Sequence, residues 1–86
     1  MTMKTKQTRK IIKAMKAYAD PPTSFVVIHN THIKVSWTML NDQGKKVRII
    51  QVLSSSPRSL DYHIISARNC LRRTFKQNNI TQEVNF

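Results

Sequence analysis

The sequence predicts an α+β fold of order α-β-β-β-α, with a three-stranded antiparallel sheet and two helices packed on one face. Three observations lead there. Apolar residues recur at helical spacing near both ends of the chain. The middle is rich in β-branched and aromatic residues and contains one clean two-residue alternation. The one glycine, Gly44, falls between two of those extended runs. A chain of 86 residues has room for one core. A single domain is therefore expected over residues 1–77, followed by a flexible C-terminal tail over 78–86.

The first helix is expected over about residues 4–19, where Ile11, Ile12, Met15, Tyr18 and Ala19 fall on one face. Asp20-Pro21-Pro22 ends it, because proline lacks an amide donor and disfavours α geometry in the residue before it. Residues 24–29 read as the first strand, and Asn30-Thr31 as a two-residue turn. From His32 to Leu40 the chain alternates. Ile33, Val35, Trp37 and Met39 point one way, and His32, Lys34, Ser36 and Thr38 the other, which describes a strand with one wet face. Asn41-Asp42-Gln43-Gly44 reads as a four-residue loop with Gly44 in the left-handed conformation, and residues 45–53 as the third strand. After a polar connection, Ser59 suits an N-cap for a helix over residues 60–77. Its apolar stripe is Leu60, Ile64, Ala67, Leu71 and Phe75.

Charge is the strongest functional signal. Fifteen Lys and Arg stand against four acids, a formal net charge of +11. Self-repulsion on this scale opposes compaction, and a polyanionic partner is its natural counterpart. Nucleic acid fits best, since neutralising phosphates releases counterions. Lys10, Lys13, Lys34, Lys45, Lys46, Arg48, Arg58, Arg68, Arg72 and Arg73 form the candidate binding set. The arginines suit phosphate because guanidinium presents a fork to its oxygens. Salt-bridge lacing does not account for so many cations with so few acids.

The same composition excludes other chemistries. One glycine rules out phosphate-cradling glycine loops and dinucleotide fingerprints. Asp20, Asp42, Asp61 and Glu83 are too few for a two-metal nuclease. His29 and His32 flank the expected turn and could face one another, but no further ligand lies near in sequence, so neither a metal nor a cofactor is expected. His63 is expected to be partly exposed. Cys70 is the lone cysteine, which fits a reducing, cytoplasmic setting and a small, partly buried hydrophobe better than a nucleophile. No apolar run approaches a membrane span, no secretory signal is expected, and no membrane partner is implied. Aromatic residues make up 7% of the chain, and Trp37 alternates with core positions, so backbone contact is expected ahead of base stacking.

The element order, the size and the basic charge resemble two related groups, the double-stranded-RNA-binding domain and the HicA-type toxin, a small RNA-cleaving protein. In HicA-type proteins a catalytic His opens the second strand after a tight Gly-Ser turn, and a Gly-containing turn follows. Asn30-Thr31-His32-Ile33-Lys34-Val35 and Asp42-Gln43-Gly44-Lys45 stand at the corresponding points, with Asn30 and Thr31 in place of the Gly-Ser pair. The resemblance implies that His32 is catalytic, as a metal-independent acid or base in RNA cleavage. Ala67-Arg68, with Leu71-Arg72-Arg73 after it, also resembles a helix pattern of small phage-encoded proteins. Three functions follow as expectations. The first is an RNA-directed binding protein, with RNA ahead of DNA. The second is a ribonuclease toxin with a co-encoded antitoxin. The third is a host-takeover factor, acting in the host cytoplasm, whose basic face docks on an acidic host protein.

Overall fold

The computed structural model describes residues 6–53 and 60–86. The elements are α1 (Lys6–Lys16), a single 3-10 turn (Pro22–Ser24), β1 (Val26–His29), β2 (Ile33–Leu40), β3 (Lys46–Leu53) and α2 (Leu60–Gln77). The strands form one antiparallel sheet in the order β1-β2-β3. This is the α-β-β-β-α arrangement that the periodicities predict.

β2 is the centre of the core. Ile33, Val35, Trp37 and Met39 are all buried on one face of the sheet. Ile11 and Met15 of α1 and Ala67, Leu71 and Phe75 of α2 pack against that same face. Trp37 is fully buried and stacks on Phe25, with ring centroids 5.8 Å apart. Its Nε1–H donates to the Met39 sulfur at 3.4 Å. On β3, Val47, Ile49, Gln51 and Leu53 share this side. Gln51 is buried there because its amide donates to Thr74 Oγ1 of α2 at 3.0 Å, which satisfies a polar group that would otherwise be costly to bury.

The two helices run parallel. In the first turn of each, Thr8 Oγ1 and His63 Nε2 lie 3.1 Å apart, with both residues buried. At the other end, just past α1, Tyr18 meets Phe75 edge-on, with centroids 5.3 Å apart. α1 ends three residues earlier than the expected boundary. Its last turn tightens to i→i+3 bonds, with the amides of Ala17, Tyr18 and Ala19 reaching Ala14, Met15 and Lys16. Tyr18 and Ala19 are nonetheless buried, as the apolar pattern requires.

The two hairpins differ from expectation by one residue each. β1 and β2 close on the pair His29↔Ile33, so the turn is the three residues Asn30-Thr31-His32, with the Asn30 amide donating to the His32 carbonyl. The β2–β3 loop covers residues 41–45. Asn41 Oδ1 accepts from the Gln43 and Lys45 amides at 2.9 Å each, an Asx turn. Gly44 has φ of +76°, in the left-handed region its position demands. The polar connection, Arg58 and the Ser59 cap lie outside the described residues.

A flexible tail does not describe residues 78–86. α2 ends in a Schellman motif. Asn79 takes φ of +60°, its amide reaches the Lys76 carbonyl, and the Ile80 amide reaches the Phe75 carbonyl. That reversal turns Ile80 back onto Phe75 and the core. Ile80 and Val84 are each only 5% exposed. Tyr18 pins the segment by donating to the Glu83 carbonyl and accepting from the Asn85 amide. The β2–β3 loop holds it from the other side, as Asp42 accepts from the Thr81 amide and donates its own amide to the Asn79 carbonyl. Ile80→Ala is expected to destabilise the fold by about 2–5 kcal/mol, as for a buried core position. Urea unfolding checks this, and a loss near zero would mean that the segment is not part of the core.

Candidate nucleic-acid interface

The described cations divide between two opposite surfaces. The helical layer carries most of them. α1 is Lys-Gln-Thr-Arg-Lys-Ile-Ile-Lys-Ala-Met-Lys, without an acid, and Lys6, Arg9, Lys10, Lys13 and Lys16 are all exposed. Buried Thr8, Ile11 and Met15 explain why: the apolar stripe claims one side of a short helix and leaves the lysines the rest. On α2, Arg72, Arg73 and Lys76 are exposed. Because the helices are parallel neighbours, Lys13 and Lys16 of the last turn of α1 share an end of the molecule with these three. Cations there also complement the negative ends of both helix dipoles. That local stabilisation accounts for their placement, but a dipole end carries only about half a charge and does not balance five cations.

Lys34, Lys46 and Arg48 lie on the far side of the sheet, away from the helices. Arg48 reaches back to Ser36 Oγ at 3.4 Å. Lys45 is exposed in the β2–β3 loop. Arg68 is partly buried, and its Nε–H donates to the Phe86 carbonyl, so it holds the C-terminal segment as well as adding charge. The ten sequence candidates are therefore not one patch. Lys10, Lys13, Arg72 and Arg73 belong to the helical layer, and Lys34, Lys46 and Arg48 to the opposite face. Sequence reasoning left Lys6, Arg9, Lys16 and Lys76 out of the set. Their helical spacing beside Lys10, Lys13 and Arg72 was the signal that could have included them.

The histidines fall in three different settings. His32 is exposed in the β1–β2 turn. The eight residues of β2, a strand roughly 25 Å long, separate it from the loop that touches the end of α2. His29 sits on the core side opposite Ile33, with a buried Nε2 that has no hydrogen-bond partner. The three-residue turn thus removes the facing pair of histidines that a two-residue turn suggests. Among the described residues, no three of His, Cys, Asp or Glu come together. His63 is 6% exposed, not partly exposed as expected, because α2 turns it inward against Thr8. Cys70, expected to be a small, partly buried hydrophobe, is exposed.

A cleft of about 320 Å³ opens between the end of α2 and the C-terminal segment, lined by Arg72, Lys76, Asp42 and Thr81 among others. No described helix is long and apolar enough to cross a membrane. No family model, curated protein or solved structure matches this chain.

Burial of His63 holds its pKa below the ordinary value of 6.5 by disfavouring the charged ring. The unfolded chain therefore binds this proton more readily than the folded one. The contribution is constant above about pH 6.5 and is lost as pH falls from there through the folded pKa. His63→Gln should remove that component. The difference in unfolding free energy between the two proteins should be flat above pH 7 and should shrink as pH falls below 6.5. A difference independent of pH would show that the ring is not protected from protonation.

Proposed function

We propose that this chain binds nucleic acid, RNA ahead of DNA, through the outward faces of α1 and α2. One observation carries the reading. Eight exposed cations stand on two adjacent parallel helices, and the only acid in either helix is Asp61, in the first turn of α2. Four acids in the whole chain leave a surplus of +11 that internal pairing could not consume. A surface of this kind meets phosphates at many points and gains affinity from the counterions they release. The rings of Trp37, Tyr18 and Phe75 are buried, which favours backbone and shape recognition over base stacking. The resemblance to RNA-directed α-β-β-β-α proteins supports RNA over DNA.

Cleavage at His32 has weaker support. The turn that carries it lies a strand's length from Lys13, Lys16, Arg72, Arg73 and Lys76, the denser group of cations, so phosphates held by those five are not held at the imidazole. Binding without hydrolysis is the expected behaviour.

A gel-shift series with double-stranded RNA should show affinity falling steeply with salt. Replacing Lys13, Lys16, Arg72 and Arg73 together by Ala should weaken binding by roughly tenfold or more and flatten the salt slope by about one for each phosphate no longer neutralised. Lys34→Ala with Arg48→Ala should leave the slope nearly unchanged. Folded protein that ignores RNA and DNA in dilute buffer would overturn the proposal. RNA incubated with the protein in EDTA should stay intact, and His32→Ala should bind as the parent does. Cleavage that disappears with His32→Ala would instead establish the ribonuclease reading.

A further inference from the structure

The sheet face opposite the helices is apolar as well as basic. β1 contains Val26-Val27-Ile28 and β3 contains Ile49-Ile50-Gln51-Val52-Leu53, so both strands are apolar on two sides. Strands of that composition are the kind found covered on both faces, whereas β2 alternates as a half-buried strand does. Here the second face is open. Val26, Ile28, Ile50 and Val52 are 44%, 46%, 46% and 63% exposed. The register sets them in two rows, Val26–Ser36–Ile50 and Ile28–Lys34–Val52. An aliphatic pair on β1 and another on β3 thus flank a floor of Lys34 and Ser36. With neighbouring strands about 4.8 Å apart, the two ridges stand roughly 10 Å from each other, close to the diameter of a helix. Lys34, Lys46 and Arg48 are the charged residues of this face, and none of its described residues is acidic.

We infer that this face docks an amphipathic helix of a protein partner, whose apolar stripe lies between the two ridges and whose flanking Asp and Glu meet Lys34, Lys46 and Arg48. A helix over this face would complete a three-layer arrangement, and layers are how a sheet buries an apolar face. Charge selects the occupant. A second copy of this chain would press Lys34, Lys46 and Arg48 against their own kind, between two chains of +11 each. Nucleic acid held through its phosphates gains nothing from the exposed aliphatic ridges of Val26, Ile28, Ile50 and Val52. An anionic membrane finds short β-branched side chains on a sheet face, without the Trp or Phe that insertion favours. An acidic helix matches both the shape and the sign. The stem of Lys34 would be covered by the helix while its ammonium reached a flanking carboxylate.

The test is a selection of random 16-residue peptides, displayed on phage, against the full chain. Enriched peptides should carry apolar residues at helical spacing flanked by Asp or Glu. As synthetic peptides they should bind at least tenfold more weakly to Val52→Asp and to Lys34→Glu, yet equally well to the Arg72→Ala, Arg73→Ala double variant. The substituted sheet positions are exposed, so circular dichroism should show each variant folded. Failure to enrich any peptide would overturn the inference, as would enriched peptides without carboxylates or equal binding to the Val52→Asp variant. A dimer in sedimentation that Val52→Asp dissociates would assign the face to a second copy. Co-sedimentation with phosphatidylglycerol vesicles that Val52→Asp abolishes would assign it to a membrane. Either result would overturn the acidic-helix assignment.

Discussion

The row of side chains on the inner face of β2 is the constraint on which the rest of the molecule depends. Ile33, Val35, Trp37 and Met39 leave one side of the sheet unable to face water. Both helices, the 18–19 turn and the C-terminal segment are held where they are by the need to cover that side. The covering has to be thorough, because a surplus of eleven positive charges pushes the chain apart. Trp37 does the largest share, stacked on Phe25 and enclosed on every side. The polar groups drawn into this layer arrive with partners: Gln51 with Thr74, and His63 with Thr8. His29 is the exception, with one nitrogen buried and unpaired, a cost of the order of 1–3 kcal/mol that the surrounding burial must offset.

Strong periodicity made much of this legible in the sequence. The alternation from Ile33 to Met39 assigned each β2 side chain to its side, and the stripe of Ala67, Leu71 and Phe75 gave the buried face of α2. Gly44 announced its own conformation, since the loop needs a positive φ and glycine adopts it without a Cβ penalty. The illegible parts are those where a short-range signal competes with tertiary packing. Asn30-Thr31 is a weak turn signal, and the loop gained a residue to bring His29 onto the core side. Asn78-Asn79-Ile80 looks like a polar end to a helix, yet Asn79 in the left-handed region reverses the chain and buries Ile80. His63 reads as an ordinary helical polar residue until α1 lies beside it.

The candidate surface was legible in kind but not in layout. Composition shows a surplus of positive charge, while only the register and the parallel packing sort the cations into two groups. The groups differ in character. On the helices the one large exposed aliphatic among the described residues is Ile65. On the sheet they stand among exposed aliphatics, a setting that pure charge attraction does not require. A protein this small thereby presents two chemically distinct faces, separated by the thickness of one hydrophobic layer.

Parallel helices also add their end charges, where an antiparallel pair would cancel them. Both negative poles, each worth about half an elementary charge, open at the end that carries Lys13, Lys16, Arg72, Arg73 and Lys76, and they moderate the repulsion among those side chains. Both positive poles open at the end where Thr8 meets His63. The potential is therefore spread more evenly along the helix axes than the side chains alone would make it.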